Sequence, residues 1–302
     1  VAPPIIIIHR GDSPYLAHCI AQAKSSNAES RVILLGDLSN RYYLGVEHHY
    51  YEDYFIEAEN FASIFQHKYF PTYQYSWILF CHQKYFALRD FCKSHKIKKF
   101  VLIDSDVMIY ENLGAYFRKY EDSLMTLICD NPYAHIAGAW FAIVQQSSIL
   151  DELCEIYTNL FSDSGKKIRD RLKIDKFYEM TGLYLLMEGN SGKIGNMYHY
   201  EGQDYVMNVS MEWDDRFEYE GKFLKVVWQK NIPYLTEKVS GRLFRAPMLH
   251  FHGKGKYVMG KYLRLKNLKT MVEHKINKVI NVLAKYPVRL VNTFYEGFFP
   301  KI

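Results

Sequence analysis

Phe100-Val101-Leu102-Ile103-Asp104-Ser105-Asp106 is the stretch on which the fold turns. Four apolar or aromatic residues run directly into two carboxylates separated by one serine, as a buried strand does when it gives way to a loop. In an open α/β sheet, ligands gather beyond the carboxyl ends of the strands, and Asp104 and Asp106 stand at such an end. Two carboxylates one residue apart can both turn toward a single divalent cation. Hard cations such as Mg²⁺ and Mn²⁺ prefer oxygen ligands and often bridge substrate phosphates. The same residues also read as a solvated loop with helix-capping aspartates. Against that, burying either carboxylate unpaired is expensive, so a cation or a cationic ligand is the natural partner.

Upstream, Ile5–Ile8 is a β-branched run after two prolines, residues 14–23 look helical, and residues 31–35 are a second buried strand closed by Gly36-Asp37. This β-loop-α-β opening is the signature of a parallel α/β sheet. Residues 75–94 read as a long helix, with Trp77, Phe80, Cys81, Lys84, Leu88 and Phe91 at helical spacing. Downstream, residues 124–129, 139–144 and 226–228 are strand candidates, and residues 149–161 and 177–187 helical ones. Residues 50–70 take no assignment. There is no internal repeat and no low-complexity linker, so the expected partition is a catalytic domain over 1–256 and a basic, amphipathic tail over 257–302.

Composition narrows the class. Nearly half of the 302 residues are apolar, enough for a substantial core. Five cysteines without a C-x-x-C spacing argue against a disulfide scaffold or structural zinc and suit a reducing, cytoplasmic setting. No apolar run approaches a membrane helix in length, and residues 1–12 do not read as a signal peptide. The formal charge is +5, yet residues 254–302 alone carry eleven Lys or Arg against two acids.

Two further segments carry chemistry. His250-Phe251-His252-Gly253-Lys254-Gly255-Lys256 concentrates imidazoles, glycines and ammonium groups. Glycines let backbone approach a ligand, Lys supplies point charge for phosphate, and a neutral imidazole can complete the coordination of a transition metal. An exposed basic turn is the plainer alternative. Gln203-Asp204, with Asn208 four residues on, offers amide and carboxylate groups suited to sugar hydroxyls if a helix starts there, or simply caps that helix.

Together these segments resemble the glycogenin-like and bacterial lipopolysaccharide-type (family 8-like) retaining glycosyltransferases. Phe100–Ile103 with Asp104-Ser105-Asp106 matches their strand followed by D-x-D. Residues 202–208 resemble their D-Q-D-x-x-N segment, with Gly202 in place of the first acid. Residues 250–256 match H-x-x-G-x-x-K, although Tyr257-Val258 follow where the family has P-W.

The resemblance implies a GT-A fold, that is, a Rossmann-like α/β architecture with a mixed, mostly parallel sheet flanked by helices and a helical C-terminal tail. It further implies a metal-assisted, retaining transfer from a UDP-sugar to a glycan or lipid-linked acceptor in polysaccharide biosynthesis. Asp104, Asp106 and His250 would hold Mn²⁺ or Mg²⁺, and Lys256 would meet the donor diphosphate with Gly253 permitting close approach. Gln203 and Asp204 would lie beside the transferred sugar. Asp12 and Tyr15 follow the first strand where the family binds the nucleotide base, and Arg89 sits on the helix preceding the metal strand.

The tail admits two readings, peripheral docking on the inner face of an anionic membrane or an ordinary amphipathic helix packed on the domain. Asp214-Asp215 reads as an acceptor contact, an inverting base or a surface turn. Nucleic-acid binding is disfavoured, because the basic residues lie among aliphatic rather than aromatic ones. Two other classes stay open. A haloacid-dehalogenase-type phosphohydrolase would use Asp104 and Asp106 with Lys225 and Asp214-Asp215, here in the wrong chain order. A non-catalytic nucleotide-sugar-binding protein would keep the site without turnover.

Overall fold

A computed structural model describes residues 2–65, 72–129, 135–174, 176–198, 203–207 and 209–283. Gly202, Asn208 and residues 284–302 of the expected tail lie outside the described residues. The strands are β1 Ile5–Ile8, β2 Val32–Gly36, β3 Glu47–Tyr50, β4 Phe100–Ile103, β5 Val107–Ile109, β6 Met125–Ile128, β7 Gly138–Val144 and β8 Ile194–Asn196. Shorter ones follow: β9 Tyr219–Glu220, β10 Phe223–Leu224, β11 Val226–Gln229, β12 Ile232–Thr236, β13 Leu243–Arg245 and β14 Met248–His250. The helices are α1 Leu16–Ser26, α2 Ile56–Ile64, α3 Thr72–Ser94, α4 Gly114–Lys119, α5 Ile149–Leu160, α6 Asp163–Leu172, α7 Glu179–Gly189 and α8 Leu268–Leu283.

Seven strands form the central sheet in the order β3-β2-β1-β4-β7-β6-β8. All run parallel except β7, which is antiparallel to both β4 and β6. The sheet is therefore mixed and mostly parallel, as expected. Its inner strands are buried on both faces, which is why they read as unbroken apolar runs. Alternation sends Ile5, Ile7, Val101 and Ile103 to one core and Ile6, Ile8, Phe100 and Leu102 to the other. One core packs under α3, α5 and α7 through Phe61, Phe86, Phe91, Tyr157 and Phe161. The other packs under α1 through Tyr110, Phe217, Phe244 and Phe251.

The sequence left residues 50–70 unassigned. They hold a 3-10 helix, Tyr51–Tyr54, and α2, whose Ala58 and Phe61 are buried against α3. The polar strand β3 was not expected either. It is an edge strand, tied across to Arg31 by Glu47 at 2.6 Å. The helix expected from residue 257 onward is divided. A 3-10 helix spans Gly253–Tyr262, so the boundary placed after residue 256 falls inside it, and α8 starts only at Leu268. Asn267 caps α8, accepting from Thr270 N–H at 2.8 Å.

His82 on α3 is fully buried among Phe61, Phe65, Tyr157 and Phe161, with Nδ1 2.9 Å from the Ile78 carbonyl oxygen. Burial pushes its pKa down to about 4, outweighing that hydrogen bond. The unfolded chain binds this proton near pH 6.5 and the folded one does not, so stability is full above that value and falls as the pH drops toward 4. Urea unfolding should thus lose about 1.4 kcal/mol per pH unit from His82 across that window, and His82→Phe should lack this part of the slope. Equal slopes in the two proteins would show that His82 is protonated in the fold.

Candidate active site

The strand order reverses between β1 and β4, so the crevice opens beyond their carboxyl ends. Two loops line it. After β1, the loop from His9 to Gly11 is pinned by residues that follow β2. Asn40 Nδ2 donates to the carbonyl of Gly11 at 2.8 Å, and Gly11 N–H donates to Asp37 Oδ2 at 2.6 Å. Gly36 must lack a side chain for this, since a Cβ there would lie 1.9 Å from Asn40 Oδ1. After β4, Asp104 N–H donates to the Trp140 carbonyl on β7 at 2.9 Å. His9 Nδ1 lies 2.8 Å from Ser105 Oγ and ties the two loops together.

The chain then folds β14 onto β5 in antiparallel register, with His250 opposite Val107. That pairing carries His250 to Asp106 across a long separation in sequence. His250 Nε2 stands 3.4 Å from Asp106 Oδ1, close enough for attraction but not aligned as a hydrogen bond. Just beyond, Gly253 takes a positive φ of 40°, a conformation that glycine adopts readily. The 3-10 turn starting there brings Lys256 back, and its Nζ reaches Asp106 Oδ2 at 2.7 Å. Glu212 steadies the turn by accepting from His252 N–H at 3.2 Å.

Burial alone would raise the carboxyl pKa of Asp106, but His250 and Lys256 outweigh it and hold the group well below the usual carboxylate range. Burial opposes the charge on Lys256 as well, and Asp106 overcomes it. Asp104 makes a different pair. Lys84 of α3, with its side chain only 8% exposed, reaches Asp104 Oδ1 at 2.9 Å. Burial works against that ammonium too, and Asp104 keeps it charged. Glu179 at the start of α7 is buried near Lys84, and burial raises its pKa.

Lys84, Asp104, Asp106, Glu179 and Lys256 line a cavity of about 510 Å³ together with His9, Arg10, Tyr15, Trp77 and Phe80. That volume suits a small ligand. Tyr15 lies with its ring 5.3 Å from Lys256 Nζ. A second cavity of about 550 Å³ includes Trp140, Tyr198, Trp213, Asp214 and His252 in its lining. Three of the rings lining this second cavity, Trp140, Trp213 and His252, belong to a continuous run through His250. Trp140 stacks on His250 at 4.7 Å, His250 lies 3.8 Å from His252, and His252 lies 4.6 Å from Trp213.

Of the residues singled out from sequence, Asp104, Asp106, His250, Lys256 and Tyr15 converge and Gly253 turns the chain among them. Four others go elsewhere. Arg89 pairs with Asp90 at 2.8 Å on the far side of α3, and Lys84 is the basic residue of that helix that enters the cavity. Asp12 accepts from the Tyr43 hydroxyl at 2.7 Å and is not part of the cavity lining. Gln203 and Asp204 line neither cavity and start no helix. They lie along β13, with Asp204 Oδ1 3.6 Å from Arg245. For the phosphohydrolase alternative, Lys225 and Asp214 are occupied away from Asp104, with Glu218 at 3.0 Å and Arg216 at 2.8 Å.

Among the described residues, no group of three His, Cys, Asp or Glu side chains is arranged to hold a metal ion. Asp106 and His250 nonetheless fit as a pair of donors. Asp106 Oδ1 is buried without a hydrogen-bond partner and faces the imidazole nitrogen at 3.4 Å, where a cation between them would satisfy it. Asp104 is turned toward Lys84 instead.

No protein-family model matches the chain, and no curated protein matches it in sequence. Solved structures do. Mouse xyloside xylosyltransferase 1 aligns over 71% of this chain and 88% of its own, at 12% identity and a TM-score of 0.45. The galactosyltransferase LgtC, in complex with donor and acceptor sugar analogs, aligns over 89% and 99%, at 9% identity and a TM-score of 0.46. The glycosyltransferase GlyE of Streptococcus pneumoniae aligns over 93% and 64%, at 10% identity and a TM-score of 0.44.

Lys84→Met should destabilise the protein by about 2 kcal/mol in urea unfolding, because it strands Asp104, whose side chain remains 33% exposed, and removes the cation beside Glu179. Adding Asp104→Asn should recover part of that loss, whereas Arg89→Ala should cost under about 1 kcal/mol. A Lys84→Met protein as stable as the parent would contradict the buried pair.

Proposed function

We propose that the cavity beyond β1 and β4 binds a nucleoside-diphosphate sugar, with UDP as the expected nucleotide, and that the chain transfers the sugar to a glycan or lipid-linked acceptor. The observation carrying this reading is Asp106 fixed between His250 and Lys256 at the rim of a ligand-sized cavity that also receives Arg10 and Lys84. A diphosphate needs convergent positive charge to bind and to leave, and this rim concentrates it. Phosphate oxygens arriving there would exchange with the aspartate oxygens as partners of the two lysines.

In this reading Lys256 lies against the departing diphosphate and neutralises charge as the sugar–phosphate bond breaks, so no general acid is required. Asp106 and His250, with Asp104 on release from Lys84, would hold Mn²⁺ or Mg²⁺. When bound, that ion supplies Lewis-acid neutralisation of the same leaving group. Tyr15 and Trp77 offer ring faces to the base or the sugar. The acceptor is assigned to the second cavity, where Trp213 can stack on a sugar and Asp214 can accept from its hydroxyls. The stereochemical course proposed is retention, following the resemblance of the motifs. Gln203 and Asp204 line neither cavity and have no assigned role in this reading.

The test is nucleotide release from a panel of UDP- and GDP-sugars with and without Mn²⁺. One donor should be turned over by the parent protein, and Asp106→Asn or Lys256→Ala should lower the rate by about 100-fold or more. Arg89→Ala should stay within about threefold of the parent, which is under 1 kcal/mol of barrier. No release from any donor would leave a binding protein without turnover. Release unaffected by both Asp106→Asn and Lys256→Ala would place the chemistry elsewhere.

A further inference from the structure

α8 is folded with its faces reversed. The side it presents to the protein is mostly polar: Thr270, His274, Asn277 and Asn281 are buried, with Ile280 as the apolar exception. Three of them, His274, Asn277 and Asn281, make specific side-chain contacts. Asn277 accepts from Leu44 N–H at 2.7 Å and donates to the Leu44 carbonyl at 3.0 Å. Asn281 donates to the Tyr43 hydroxyl at 3.2 Å, and His274 Nε2 lies 2.8 Å from His18 Nδ1 on α1. Glu273, the helix's only acid, is paired inward with Lys24 at 3.2 Å.

The outward side carries the aliphatic residues. Leu268, Met271, Val272, Val279 and Val282 are all exposed, Leu268 to 74% and Val282 to 56%. At helical spacing they form one stripe, since steps of three and four residues return to the same face. Lys275 lies within that stripe, and Lys269 and Lys278 flank it, all exposed. Lys261 and Lys266, also exposed, extend the positive rim toward the 3-10 helix. A helix that spends its hydrogen-bonding residues on its own protein and turns valine and leucine to the outside is not paying for its fold with hydrophobic burial.

We propose that this face of α8 docks on an anionic lipid surface. Aliphatic side chains would sit at the level of the headgroups and acyl chains, with lysine stems lying along them and ammonium groups rising to the lipid phosphates. Charge selects the occupant. Two α8 faces brought together would oppose lysine to lysine with no outward acid on either helix, which disfavours a second copy of the chain. An anionic bilayer complements both the stripe and its rim. Among the described residues, no helix is long and apolar enough to cross a membrane, so this contact lies in the interface plane. The proposal does not depend on the catalytic assignment.

Flotation of the full chain with vesicles tests it, comparing phosphatidylserine in phosphatidylcholine with phosphatidylcholine alone. The parent protein should float with the anionic vesicles, weaken as salt is raised and ignore the neutral ones. Reversing Lys269, Lys275 and Lys278 to Glu should lower the partition by roughly 100-fold, and Val272→Glu with Val279→Glu by roughly tenfold or more. All five positions are exposed, so the unfolding midpoints should stay at the parent value. Absence of anionic-vesicle binding, or binding unchanged in both variants, would overturn the proposal. So would a parent dimer that ignores vesicles and becomes monomeric in Val272→Glu with Val279→Glu, because a second copy would then cover the face.

Discussion

The position of Asp106 is the constraint around which the functional end of the molecule is built. A buried carboxylate must find cations or hydrogen-bond donors, and the chain supplies them from a segment some 150 residues away. The β5–β14 pairing sets His250 beside one oxygen, and the turn at Gly253 sets Lys256 on the other. Lys84 treats Asp104 in the same way from the opposite side of the crevice. Two ion pairs thus hold the middle of α3, the ends of β4 and β14 and the following 3-10 helix in one place. Each leaves its lysine in the lining of the cavity.

Much of this arrangement was legible because buried parallel strands announce themselves. Ile5–Ile8, residues 31–35 and Phe100–Ile103 are apolar on both faces, and they became the three central strands of the parallel half. The acids after Ile103 and the cluster at 250–256 were legible as chemistry because polar groups placed directly against apolar runs need partners. The direction of β7 was not legible, since a buried strand has the same composition either way along. Lys84 carried a signal that went unused. It stands four residues after Phe80 and four before Leu88, on the apolar face of α3, where a lysine must be paired to be buried. Arg89 lies one residue further round the helix, and that rotation takes it to Asp90. Gln203 and Asp204 had only local polarity to recommend them, and their partners, Arg242 on the Gln203 carbonyl and Arg245 beside Asp204, are distant in sequence.

α8 shows the limit of reading amphipathy alone. Its spacing displays a clear apolar stripe, and the ordinary inference turns such a stripe inward. Here asparagine and histidine side chains hold the helix to Leu44, Tyr43 and α1, and the stripe faces out. The same polar contacts reach toward the loop that follows β1. Tyr43 receives Asn281 and donates to Asp12 in the loop after β1, so one hydrogen-bonded path joins the helix to the rim of the crevice.

Calorimetric titration of UDP, with and without Mn²⁺, addresses the central claim most directly, because it asks whether the Asp106 rim receives a nucleoside diphosphate apart from any turnover. The account predicts one site per chain in the parent protein and its loss in Lys256→Ala at temperatures where that variant, destabilised by stranding Asp106, is still folded. UDP binding of equal affinity in Lys256→Ala would contradict it, as would no binding to the parent protein under either condition.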